Sequence, residues 1–497
     1  MQQQFDIAIM GGGLSGLCLA RQLMLKNPKF SIVVIERNPY PVPEAAYKVG
    51  ESTVELGAHY LSVVLGLKQH LVESQLPKAG LRFFFTEGNN HHIEKRFEIG
   101  SNAFPPVSSF QLDRGRLENF LYDDNQRLGI TIVDNCQVKA CDFSTPHSII
   151  AHRNQEKLSF KADWVIDASG RFGLVKRQRQ LQRPNQHNVN ACWFRIEEKI
   201  DIDDWFPSSW SYQDVPKGLR YYSTNHFMGE GYWVWVIPLS SGSTSLGIVA
   251  DDQLHPYKDI NQFALALDWL EKYEPQCATV VKQNQHKLQD FHALKKFSHG
   301  CQQVFSENKW CLTGESGVFL DPLYSPGTDF IAISNTLITQ LICTERSGES
   351  IELLTKQYQQ LYFQMYQSSL NIYLNQYPIM GNRDLMVQKI IWDYAIYWGF
   401  TALLFTQGKL CDYAFLLDIR TYLQQVDMIS AKIQARFRQR SPISANPIEG
   451  RFLNTLKIPE LNSWQAELLD NYDEIQLKKK IKDNFSKIKE LARNLFA

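Results

Sequence analysis

"FDIAIMGGGLSGLCLARQLML" (residues 5–25) decides the fold. FDIAIM has the apolar character of a buried strand, the glycines that follow make a turn, and LCLARQLML continues as a helix. "FSIVVIER" (30–37) then returns as a second strand. Strand, turn, helix and strand in this order form the βαβ unit that opens a nucleotide-binding sheet. Within "GGGLSG" (11–16), Gly11, Gly13 and Gly16 fall in G-x-G-x-x-G register, with Ser15 inside the turn. Gly11 permits the tight turn, Gly13 lets a pyrophosphate approach the backbone, and Gly16 lets helix and strand pack closely. The helix N-terminus adds N–H donors and the positive end of its dipole. Glu36 ends the second strand twenty residues beyond Gly16, where an acid binds ribose hydroxyls.

Working outward, "KADWVIDASGR" (161–171) and "KWCLTGES" (309–316) read as two more buried strands that run into small-residue turns. With "LTGESGVFLDP" (312–322) they supply the second and third dinucleotide contacts of an FAD-binding fold, which argues against nicotinamide alone. Glu315 stands where an aspartate is usual and is long enough to reach ribose or a phosphate-linked water. Alternating patterns such as "GLRFFFTEG" (80–88) and "GYWVWVIPLSSGSTSLGIVADD" (231–252) predict antiparallel strands, the latter pair turning at Ser240–Gly242. From about Asn335 the text becomes helical and aromatic, with Tyr358, Tyr362, Tyr366, Tyr373 and Tyr377 at roughly helical spacing. The expected architecture is α/β: a Rossmann-type, glutathione-reductase-like FAD-binding domain over residues 1–345, interrupted by an inserted mixed β-sheet at about 76–110 and 190–300, followed by a helical C-terminal region over 346–497.

Composition narrows the function classes. The 497 residues are 44% hydrophobic and 21% charged, the mark of an ordinary globular protein, and the zero formal charge argues against nucleic acid as a partner. Nine cysteines without a CxxC pair predict neither a metal site nor a disulfide framework, and point to a reducing cytoplasm. The N-terminus enters a strand at once, so no signal peptide is expected. The longest apolar run, "YAIYWGFTALLFT" (394–406), is too short to span a bilayer and reads as a buried helix.

Trp233, Trp235, Ile237 and Pro238 make "GYWVWVIP" resemble the W-x-W-x-I-P signature of flavin-dependent halogenases, tryptophan- or phenol-halogenase-like members of the FAD-dependent aromatic monooxygenase fold group. "GGGLSG", "VGEST" (49–53), "LPKAGLRFFF" (76–85), "QLDRGRLENFL" (111–121) and "LDPLYSPGTDF" (320–330) are similar to that family in the same order, over roughly residues 1–340. The resemblance implies an oxidoreductase of secondary metabolite biosynthesis. Reduced FAD and oxygen convert halide to hypohalous acid, which travels through a tunnel to a lysine beside the substrate. Lys78 matches that lysine, although a lysine after Pro77 also suits an exposed loop; Lys48 is the second candidate. Trp233 and Trp235 keep substrate from the flavin. Glu51 and Ser52 lie over the flavin, and Arg114 either meets FAD phosphates or pairs with Glu118. The 320–330 loop runs along the flavin ring, placing Asp321 and Thr328 against it and the halide (chloride or bromide) at Pro326 and Gly327.

Two departures bear on the reaction. Pro326 lacks an N–H where the family offers a halide donor, a loss of roughly ten- to a hundred-fold in halide affinity. Tyr324 stands where tryptophan halogenases carry a glutamate, so free tryptophan is not the expected substrate. The K-x-G-x-x-F context of Lys78 resembles members acting on phenols and pyrroles, often held on acyl carrier proteins. No second G-x-G-x-x-G follows a later strand, so a separate flavin reductase is expected to supply reduced FAD. Two alternatives stay open: a monooxygenase that hydroxylates its aromatic substrate directly, and a non-catalytic flavoprotein scaffold that binds a carrier protein. The stripe Leu477, Ile481, Phe485, Ile488, Ala492 and Leu495 predicts a terminal helix docked by its apolar face, or a basic helix that receives a carrier protein.

Overall fold

The structure is a computed structural model that describes residues 3–44, 49–86, 88–210, 214–439 and 451–496; Lys48 lies outside the described residues. Strand β1 (Gln3–Met10) turns at Gly11 into helix α1 (Leu14–Lys26) and returns as β2 (Ile32–Ile35). Ile7 to Met10 and all of β2 are buried, as strands covered on both faces must be. β1 pairs in parallel with β2 and with Glu156–Asp167, which pairs in parallel with Trp310–Leu312. Met10 therefore stands beside Ile35 and Asp167, and Asp167 beside Leu312. The C-terminal ends of these strands share one edge, where an open parallel sheet binds its ligand. Gly11 has φ +117°, and a Cβ on Gly16 would lie 2.0 Å from the Gly11 carbonyl oxygen. Helix and strand thus touch at backbone distance, as the spacing of the glycines predicts.

A second, eight-stranded sheet stands against this unit, in the order Leu288–Leu294, Val189–Ile196, Thr244–Asp251, Tyr232–Pro238, Thr224–Gly229, Leu81–Phe85, Glu98–Gly100 and Phe452–Asn454. Alternation sorts its residues by face. Trp233, Trp235 and Ile237 pack into the core shared with the nucleotide sheet, whereas Val234 and Val236 meet the opposite cluster, which includes Trp269 and Val281 of the helices Phe263–Tyr273 and Pro275–Asn284. The last strand, Phe452–Asn454, comes from the otherwise helical C-terminal region and pairs in parallel with Glu98–Gly100.

One correction concerns where the helices begin. The long helix after the 320–330 loop starts at Gly327, not near Asn335, and runs to Arg346. Tyr358, Tyr362, Tyr366 and Tyr373 form the buried stripe of the helix Glu352–Tyr373. The 394–406 run is helical and largely buried, and no helix among the described residues is long and apolar enough to cross a membrane. The predicted stripe of the terminal helix, Glu474–Phe496, is buried from Leu477 to Leu495, so that helix docks by its apolar face.

Candidate active site

The crevice at the strand ends is lined by Gly11, Gly13, Ser15, Glu36, Arg114 and Glu315. The Glu36 carboxylate accepts a hydrogen bond from the Gly12 N–H at 2.6 Å, so this side chain and the glycine turn are fixed together. The fit to a dinucleotide rests on Gly13. A Cβ there would meet no protein atom within 4 Å, although the neighbouring Gly11 and Gly16 are crowded by backbone. The space above Gly13 lies at the N-terminus of α1, where N–H donors and the helix dipole suit a pyrophosphate. Gly13→Val is therefore expected to fold with an unchanged unfolding midpoint and to lose bound FAD, as measured by flavin absorbance. Retention of stoichiometric FAD would remove the pyrophosphate from that space. Arg114 Nη2 pairs with Glu118 at 2.7 Å, and the residue borders this crevice and the next cavity. Glu315 also borders both, 3.8 Å from Arg171, and burial raises the pKa of its carboxyl.

Beyond the crevice, Glu51, Ser52, Trp233, Trp235, Asp321, Pro326, Gly327 and Thr328 line a second cavity. The sequence therefore assembles nearly all its flavin-side candidates in one place. Several of them also hold the wall in position. Glu51 accepts from Arg195 Nε at 2.8 Å, and Arg195 binds Asp290 at 2.6 Å. Asp321 Oδ2 accepts from the Tyr377 hydroxyl at 2.6 Å and lies 2.6 Å from His187 Nε2. The Tyr377 oxygen accepts from Trp233 Nε1 at 3.0 Å, so Asp321 fixes that indole through Tyr377. Trp235 Nε1 donates to Ser245 Oγ at 3.1 Å, and its ring occupies the space a Cβ on Gly247 would fill, 2.2 Å away.

The 320–330 loop shows why a proline is tolerated in it. Tyr324 (φ +68°) and Ser325 (φ +59°) are both left-handed, a strained pair for residues with a Cβ. Pro326, at φ −75°, is the N-cap of the long helix, and its oxygen accepts from Phe330 N–H at 3.1 Å. A cap residue needs no intrahelical donor. The first N–H groups inside the helix, those of Gly327 and Thr328, have no intrahelical acceptor and stand at the positive end of a 20-residue helix.

Lys78 sits on the far side of this loop. Its strand, Leu76–Lys78, pairs with Ser109–Gln111. The side chain is 2% exposed, so it is no loop lysine in solvent. Nζ donates to Ser52 Oγ and to Thr53 O, each at 2.7 Å. Ser52 lines the flavin-side cavity, Lys78 lines a third cavity, and Pro326 lines both, which puts the amine at their junction. Burial lowers the amine's pKa to about 7, against the pull of the Glu55 and Asp329 carboxylates.

Four acids in this third cavity were not singled out from the sequence: Glu55, Asp329, Asp393 and Asp427. Asp329 Oδ1 accepts from Gly57 N–H and Oδ2 from the Tyr397 hydroxyl, each at 2.8 Å, and burial raises its pKa to about 7. Asp393 binds Lys389 at 2.9 Å and Gln434 at 2.7 Å, and the half-buried Tyr324 borders the same cavity. Asp329 belongs to the quoted "SPGTDF", and its signal was its place in the first turn after a flavin-side loop. Glu55 and Asp393 carry no local signal.

Known proteins bear directly on this arrangement. A family profile described as FAD binding domain matches residues 4–254. The flavin-dependent halogenase chlA of Dictyostelium discoideum is 30% identical over 370 residues, covering 68% of this chain and 60% of that protein. The chain thus spans less than two thirds of that relative's length. The 1H-pyrrole-2-carbonyl (peptidyl-carrier protein) brominase of Pseudoalteromonas luteoviolacea is 31% identical over 340 residues, covering 66% of this chain and 74% of that protein. The crystal structure of halogenase PltM superposes with a TM-score of 0.67 at 13% identity, over 98% of this chain and 97% of that one, a likeness of fold. With the glycine turn, the tryptophan pair and a buried lysine at the cavity junction, these matches place the chain in the flavin-dependent halogenase family, built on an FAD-binding domain.

Proposed function

We propose that the protein halogenates an electron-rich aromatic ring, using chloride or bromide, oxygen and FAD reduced by a separate flavin reductase. The observation that carries this reading is Lys78, buried between a tryptophan-walled flavin-side cavity and a second cavity large enough for an aromatic substrate. The reductase is inferred from the single G-x-G-x-x-G in the sequence, and the carrier-protein substrates named for relatives motivate testing tethered rings here. Bound FAD supplies, with oxygen, the two-electron oxidation of halide to hypohalous acid.

Every other step falls to the chain. The N–H groups of Gly327 and Thr328 hold the halide at the helix N-terminus. Trp233 and Trp235, fixed by Tyr377 and Ser245, wall the flavin side from the ring. The Lys78 ammonium hydrogen-bonds the hypohalous oxygen; as the ring carbon takes the halogen, Lys78 gives a proton to the departing hydroxide and water leaves. Asp329 takes the proton lost from the ring carbon. The net change replaces the C–H bond by a carbon–halogen bond and yields one water per hypohalous acid.

Pro326 supports a second reading, direct hydroxylation, because it removes one halide donor. Pro326→Thr restores an N–H at the cap, and the expected result is a halide requirement lowered by up to about tenfold at half-maximal product, the scale of one charge-assisted hydrogen bond. FAD content measured alongside separates this from loop damage. An unchanged halide dependence would mean that the Gly327 and Thr328 donors suffice and the proline only caps the helix.

A further inference from the structure

The cavity around Lys78 does not end at a ring-sized chamber. It continues between the helices Glu352–Tyr373 and Tyr413–Arg438, which run side by side in the same direction. Tyr358 donates to the Cys411 carbonyl at one end, and Arg438 reaches the Asn371 carbonyl at the other. Tyr373 donates to the Leu323 carbonyl, so its end of the channel is the one beside the flavin-side loop. Leu361, Met365 and Ile372 on one helix and Leu416, Leu423 and Val426 on the other give the lining a mainly apolar course, interrupted by Ser369 and Ser430 and by a polar rim. At 1.5 Å per residue, Leu361 to Ile372 spans about 16 Å. Leu361, Met365, Ile372 and Leu423 are only half-buried, although the tyrosines beside them on the first helix are fully packed. Their methyl groups face space that the described residues do not fill.

Charge at the cavity wall selects further. Among the described residues that line it, Lys78 is the one cation, facing the carboxylates Glu55, Asp329, Asp393 and Asp427. At the exposed rim, Gln364 and Ser368 hydrogen-bond Asp427 across the two helices, at 2.7 and 3.0 Å. Among the described lining residues, a phosphate-bearing carrier arm meets no cation short of Lys78, and a substrate carboxylate meets like charge. A neutral hydroxyl finds acceptors near Lys78, and an aliphatic chain finds an apolar wall. Resting on the halogenase reading for the chemistry at the ring, we infer that the substrate is a hydroxylated aromatic that carries a long aliphatic chain and enters untethered.

The test is equilibrium binding of resorcinol, hexylresorcinol and dodecylresorcinol to the FAD-loaded protein, followed by intrinsic fluorescence. Affinity is expected to rise with chain length, with dodecylresorcinol at least about 100-fold tighter than resorcinol, since each buried methylene contributes roughly a factor of four. Met365→Trp and Leu423→Trp, which narrow the channel, are expected to erase that increment; should either lose FAD, the chain-length series on the parent protein decides alone. Equal affinity along the series, or conversion of a ring only when it is presented on a carrier protein, would overturn the inference. Mass spectrometry of products from the same compounds, with reductase and bromide, reads the chemistry separately. Tight, chain-dependent binding that ends in hydroxylated product would keep the tail channel and remove the halogenation.

Discussion

Lys78→Ala is expected to retain full FAD content and oxygen consumption while halogenated product falls by at least about a thousandfold, within the range for loss of a positioned proton donor. The effect is large because nothing replaces the amine at the junction. Ser52 and Thr224 are hydroxyls already bonded to each other at 2.9 Å, and no other cation lines the substrate cavity among the described residues. Hypohalous acid formed on the flavin side then escapes unguided. Halogenated product should therefore shift to scavengers in solution, which a trapping reagent added to the assay would detect. Parental rates and regiochemistry in the variant would remove Lys78 from the reaction.

Asp329→Asn is expected to lower turnover by roughly a hundredfold and to change the pH profile in two ways. The substitution is nearly isosteric: the amide oxygen can still accept from Gly57 N–H, and the amide nitrogen can donate to the Tyr397 oxygen, so folding should survive. On the proposed mechanism, the productive state of the parent protein has Lys78 charged and Asp329 ionised. Both groups titrate at about 7, one lowered and one raised by burial, so activity should follow a bell centred near neutrality. Below the bell Asp329 is protonated and cannot take the ring proton; above it Lys78 has lost its proton. The asparagine variant lacks the acidic limb. It also lacks a carboxylate that holds the Lys78 pKa up, so the basic limb should move to lower pH. A variant profile that superposes on the parent's would show that Asp329 does not titrate with the reaction.

Much of the nucleotide crevice was legible in the sequence because its residues act through the backbone. Gly11, Gly13 and Gly16 work by what they lack, and their spacing alone sets strand, turn and helix in register. Trp233 and Trp235 were legible for a similar reason, since alternate residues of a strand share a face. Lys78 was legible only through the family resemblance. Its burial is built by Ser52 and Thr53 from one direction and by Asp329 from far along the chain, and neither contact leaves a mark near Pro77. The start of the long helix was misplaced because Ser-Pro-Gly reads as a breaker, whereas proline at φ −75° serves as a cap. The strand Phe452–Asn454 was missed because three residues carry no period of their own; Glu98–Gly100 provides the template. Glu55 and Asp393 became visible only when helices distant in sequence were brought around one cavity.

The most direct measurement of the central claim is mass spectrometry of products from a free phenol with FAD, a flavin reductase, oxygen and isotopically natural bromide, with a parallel reaction lacking bromide. The predicted result is a brominated ring, recognised by its paired isotope peaks, that is absent without bromide and absent with Lys78→Ala. Oxygen-dependent hydroxylated product at every bromide concentration, unaffected by the Lys78 substitution, would contradict it.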